Sequence, residues 1–181
     1  MDGKILTEEY TIVYGAKGVG KSTIVDSVIQ GRKGILKIPV TSNTSKEDIT
    51  KVIAQKTATT TLNPNNGDFV KAMRIGLGDD GIIPTIIFEI ERGQGAEQWG
   101  YLQSVRSIAE EFSVACTIIL VLPKANDVLE FGIDRNRESY IYVEEFTELE
   151  ALQYLTALGM KSCEADIKDL INNVGGNPAT I

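Results

Sequence analysis

Residues 15–23 read Gly15-Ala16-Lys17-Gly18-Val19-Gly20-Lys21-Ser22-Thr23, the spacing G-x-x-x-x-G-K-[ST] of a phosphate-binding loop. Such a loop turns successive backbone N–H groups inward around an anion, and glycine permits the positive φ this requires. Gly15, Gly18 and Gly20 are read as the wrapping positions, Lys21 as the cation facing β/γ-phosphates, and the Ser22 hydroxyl as a Mg²⁺ ligand. A helix opening at this point directs the positive end of its dipole at the same anion. The chemistry predicted is the binding of a nucleoside triphosphate.

A second chemical element is Ile86-Ile87-Phe88-Glu89-Ile90-Glu91. In phosphate-loop ATPases an apolar run ends in an acid that holds Mg²⁺, and a further acid polarises the attacking water. Glu89 takes the metal position and Glu91 the base position, with Ile90 where an adjacent acid would stand. Alternation along a strand puts Glu89 and Glu91 on one face. The competing reading is a solvated strand end. Asn126, after another apolar run, is either a polar γ-phosphate sensor or an ordinary loop asparagine. Histidine is absent, so Ser-His catalysis, His-ligated zinc and imidazole proton transfer are excluded and acid–base work falls to carboxylates.

These residues need elements to hold them. Tyr10–Tyr14 is a β-branched and aromatic strand, and Ile24, Val25, Val28 and Ile29 follow the loop at helical spacing until Gly31. Further strands are predicted at 34–41, with Pro39 marking a sheet edge, and at 84–91, 116–122 and 140–143. Helices are predicted from Ser45 to about Lys56, from Asp68 to about Leu77, from about Ala96 to Phe112 and around 125–129. Two more follow, opened by a Thr147/Glu150 capping box and by Ser162, the first bearing Leu149, Leu152, Leu155 and Leu158. Alternating strands and helices predict a three-layer α/β/α sandwich on a mostly parallel five-stranded sheet.

A chain of 181 residues, 43% hydrophobic, suits one soluble domain. No apolar run approaches the ~20 residues of a membrane span, and the N-terminus lacks a signal peptide's apolar stretch, so an intracellular, membrane-free protein is expected. Eighteen basic residues against 25 acidic ones give a net charge of −7, which disfavours direct nucleic-acid binding. Cys116 and Cys163 show no metal-ligand spacing and are read as reduced thiols.

The complete loop, the strand ending Glu89-Ile90-Glu91, the pre-strand arginines Arg135 and Arg137, and the terminal Gly175-Gly176-Asn177-Pro178 together resemble the AAA+/STAND group of ATPases. Leu122–Asn126, Phe131–Asp134 and Val143–Thr147 further resemble archaeal-type ATPases and the NTPase modules of Crinkler and retrotransposon-hot-spot proteins. The resemblance implies ATP and Mg²⁺ as ligands, and Arg135 or Arg137 as a finger reaching a neighbouring subunit's γ-phosphate, against a plain surface charge cluster. It also implies a Gly-x-Pro element that brings Pro178 to the nucleotide, a lid beginning near 147–181, and further domains beyond this NTPase core, so that residues 1–181 read as part of a longer protein. Partners would be ATP and a homo-oligomer or attached effector domain.

Three other functions compete. Ser45-Lys46-Glu47-Asp48 is similar to a guanine-reading element but precedes the metal-side strand, the wrong order for a GTPase. A small-molecule kinase would need an Arg-rich lid, and none is evident. A nucleotide-binding regulatory or assembly module with little hydrolysis is favoured by the irregular Glu89-Ile90-Glu91 element.

Overall fold

The computed structural model describes residues 10–57, 83–91, 97–113, 116–131, 138–159 and 164–179. The predicted helix at 68–77, the Ser162 cap, Cys163, and Arg135 and Arg137 lie outside the described residues. In chain order the elements are β1 (Tyr10–Gly15), α1 (Lys21–Ile29), β2 (Ile35–Val40), α2 (Lys46–Thr57), β3 (Thr85–Ile90), α3 (Glu97–Ser113), β4 (Thr117–Val121), α4 (Asp127–Phe131), β5 (Glu138–Val143), α5 (Glu148–Ala157) and α6 (Glu164–Val174).

The five strands form one sheet in the order β2-β3-β4-β1-β5, and every neighbouring pair is parallel. Parallel strands covered on both faces read as near-continuous apolar runs, which is why β1, β3 and β4 stand out in the sequence. One face carries Ile12, Ile38, Phe88 and Leu120 against Ile49 and Ile53 of α2 and Leu102, Val105 and Phe112 of α3. The opposite face carries Val13, Ile87 and Val121 against Val25 of α1. The layers are therefore helix, sheet, helix. Pro39, with no N–H to donate, sits exposed on edge strand β2 as predicted.

Helix starts follow their capping chemistry. The Ser45 hydroxyl accepts from the Asp48 N–H at 3.1 Å before α2. Before α5 the Thr147 hydroxyl accepts from the Glu150 N–H, and the Glu150 carboxylate accepts from the Thr147 N–H at 2.8 Å. Two apolar stripes depart from expectation. Of the apolar residues of α1 only Val25 is buried, while Ile24 and Val28 are 46% and 51% exposed. The phosphate loop draws Lys21 inward, so residues one turn apart from it, Lys21 and Val25, define the buried line. In α5 the buried line is Ala151 and Leu155, with Leu149 and Leu158 exposed.

Among the described residues no helix is long and apolar enough to cross a membrane.

Candidate functional site

Because every strand runs the same way, β1, β3 and β4 deliver their carboxyl ends to one edge of the sheet, where open α/β folds bind ligands. A cavity of about 580 Å³ opens there. It is lined by Lys17, Gly18, Gly20, Lys21, Ser22 and Thr23 of the loop, by Glu89, Ile90 and Glu91 at the end of β3, and by Val121, Leu122 and Pro123 at the end of β4. That volume suits a small-molecule ligand, since such sites span about 300–1,000 Å³. A smaller cavity between α5 and α6 is bordered by the Lys168–Glu148 ion pair and lies away from these residues.

Three physical reasons account for the three glycines, where the sequence suggested one. Gly20 immediately precedes α1 at φ 88°, and a Cβ there would meet nothing within 4 Å, so backbone conformation alone demands glycine. Gly18 is constrained from outside: a Cβ would fall 2.6 Å from both the Ala179 Cβ and the Asn177 Oδ1. A Cβ on Gly15 would lie 2.3 Å from the Val143 carbonyl oxygen at the end of β5. Val19 is buried and fixes the loop to the domain.

Lys21 is 7% exposed and donates from Nζ to the carbonyls of Gly15 (3.0 Å), Ala16 (2.7 Å) and Pro123 (3.2 Å). All three ammonium protons have acceptors, so the cation rests on the backbone of two strand ends. Burial pulls its pKa below the ordinary lysine value, while the charge of the buried Asp127 works in the opposite direction. Asp127 is itself held by the Lys124 N–H at 2.9 Å.

Glu89 and Glu91 both line the cavity. The Glu91 N–H donates to the Val40 carbonyl at 2.8 Å, extending the β2–β3 ladder one residue beyond β3. Ile90 between them is buried in the core on the opposite face. The half-buried Glu89 carboxylate pairs with Lys37 of β2 at 2.8 Å, and the same ammonium pairs with Asp26 of α1 at 2.7 Å. Burial acts to lower the Lys37 pKa, but hydrogen bonds to Asp26 and Glu89 outweigh it and leave the pKa raised. Ser22 and Glu89 make an all-oxygen donor set of the kind a hard cation such as Mg²⁺ takes. Among the described residues no cluster of three or more His, Cys, Asp or Glu side chains stands ready to cage a metal.

The remaining candidates fall apart spatially. Asn126 is exposed and not part of the cavity lining. Pro178 is half-buried beside the loop rather than in the cavity wall. Its neighbour Asn177 makes the contact instead, donating from Nδ2 to the Lys17 carbonyl at 2.6 Å. Lys37, Asp127 and Asn177 were not singled out from sequence for these contacts. Lys37 is two residues before the edge-marking proline, and Asn177 reaches across 160 positions, so neither carries a local signal.

No protein-family model and no curated protein matches the sequence. Solved structures do match in fold. A STAND protein with a tetratricopeptide repeat sensor from Pyrococcus horikoshii aligns with TM-score 0.57 and 14% identity over 94% of this chain. Domain III of the replication initiation protein DnaA from Thermotoga maritima aligns with TM-score 0.50 and 14% identity over 94% of this chain and 70% of its own. The likeness to both structures is one of fold, a three-layer α/β/α arrangement on a parallel five-stranded sheet. This chain spans 26% of the STAND protein's length.

Proposed function

We propose that this chain is an ATP-binding, Mg²⁺-dependent domain that hydrolyses ATP and couples nucleotide state to attached effector domains or to homo-oligomeric assembly. The observation carrying this reading is the convergence of Lys21 and Ser22 with Glu89 and Glu91 on one open cavity. Lys21 would exchange its three carbonyl acceptors for β/γ-phosphate oxygens, a charge-assisted contact stronger than the ones released. Ser22 and Glu89 would hold Mg²⁺, which would supply positive charge to offset that developing on the phosphates. Glu91, on the same face two residues further along, would take a proton from the attacking water. Pro178 would border the nucleotide beside the Asn177–Lys17 contact. Arg135 or Arg137 would reach a neighbouring subunit's γ-phosphate, as the AAA+/STAND fold suggests.

A second reading, a nucleotide-responsive assembly module with little hydrolysis, is favoured by the buried Ile90 in place of an adjacent acid and by the prior engagement of Glu89 with Lys37. Single-turnover phosphate release on the full-length assembled protein separates the two. Glu91→Gln is expected to retain ATP and to slow release by about 10²–10⁴-fold. Glu89→Gln is expected instead to weaken the Mg²⁺ dependence of binding and turnover. Absence of release by the wild type favours the second reading.

A further inference from the structure

The Lys37 ammonium joins two carboxylates, Glu89 at 2.8 Å and Asp26 at 2.7 Å. Lys37 and Glu89 are each about one-quarter exposed, whereas Asp26 stands 57% exposed on α1. The ammonium thus bridges an inner carboxylate that lines the cavity and an outer one that faces water. The three charges carry a net −1, and of the three side chains only the shared inner acid lines the cavity.

We infer that Lys37 is a positioning residue that competes with the divalent cation for Glu89, with Asp26 as the acceptor that retains the ammonium when Glu89 turns to the metal. This inference rests on the reading of the cavity as a Mg²⁺–triphosphate site. A carboxylate oxygen paired to an ammonium at 2.8 Å must loosen that pair to enter a metal's shell. Releasing Lys37 into water would forfeit the whole pairing, but Asp26 already accepts the same ammonium and shortens the exchange to a shift between neighbours. The arrangement sets the Mg²⁺ concentration at which the site fills, and it does so from strand β2 and helix α1 without touching nucleotide.

The two partners of Lys37 predict opposite shifts. Lys37→Met removes the competitor and leaves two unpaired acids, so the Mg²⁺ concentration at half-saturation of labelled ATP binding should fall about two- to fivefold, the range of a partly exposed ion pair. Asp26→Asn neutralises the outer carboxylate and weakens its hold on Lys37, leaving Glu89 as the only carboxylate paired to that ammonium, so that concentration should rise about twofold. Labelled ATP affinity in excess EDTA reports any direct attraction between Lys37 and phosphate and should change less than the Mg²⁺ midpoint. No midpoint shift in either variant, or shifts in the same direction, overturns the inference while leaving the site reading intact. A wild-type chain that binds no triphosphate, or binds it without regard to Mg²⁺, defeats both.

Discussion

The Lys21 ammonium is satisfied by three backbone carbonyls, neutral acceptors that bind a cation less strongly than an anion would. At the other end of the sheet the buried Glu138 carboxylate is fully committed instead. It accepts hydrogen bonds from Tyr10 and Tyr140, and Arg106 stands 3.7 Å away. Burial first, and then the hydrogen bond to and charge of Glu138, raise the Tyr10 pKa above its ordinary value. A group whose folded pKa exceeds its unfolded value holds its proton longer in the native state. Its stabilisation is present below the unfolded pKa of about 10 and is lost as pH rises beyond it. Tyr10→Phe should lower stability at pH 7 by about 1.5–3 kcal/mol, the worth of a hydrogen bond to a charged group. It should also flatten the decline above pH 10 by up to about 1.4 kcal/mol per pH unit. Urea unfolding at pH 7, 10 and 11 measures both, and an unchanged alkaline slope would count against this pairing.

Elements with local causes are legible in the sequence. The loop is set by spacing, β1, β3 and β4 by apolar runs, and α5 by a capping box four residues long. Contacts between distant residues were not. Nothing around Gly18 in the sequence announces that Asn177 and Ala179 press on it, since its local spacing points to phosphate wrapping alone. The stripe of α1 was misjudged for a related reason, since an inward lysine outranked Ile24 and Val28 in setting which side faces the sheet. Gly18→Ala tests the contact between loop and C-terminal segment. With φ 89° and two atoms at 2.6 Å, an added Cβ should destabilise by about 1–3 kcal/mol and raise hydrogen exchange across 175–179. Gly31→Ala is the control, with φ 73° and open space, and should lose only the conformational part, about 1 kcal/mol. Equal effects in thermal unfolding and exchange would remove the contact from the explanation.

At the scale of the domain, the parallel sheet gathers the ends of β1, β3 and β4 at one rim; the alternation of strands and helices in the sequence predicts a mostly parallel five-stranded sheet but not this strand order. Subunit arrangement is a property of a larger scale, and the proposed trans role of Arg135 or Arg137 belongs there. Such a finger contributes about 10³–10⁵ in rate, far above the effect of a surface ion pair. Mixing Arg135→Ala/Arg137→Ala chains with Lys21→Ala chains should restore ATPase activity, because one supplies the site and the other the finger. No rescue in mixed oligomers shown to form would leave these arginines as surface residues. The most direct test remains equilibrium titration of labelled ATP with Mg²⁺ into the wild type and Lys21→Ala, with thermal unfolding confirming that the variant is folded. Loss of the cation should weaken binding by about 1.5–3 kcal/mol, tenfold or more in dissociation constant. Equal affinity in a well-folded Lys21→Ala chain would contradict the assignment of this cavity to a nucleoside triphosphate.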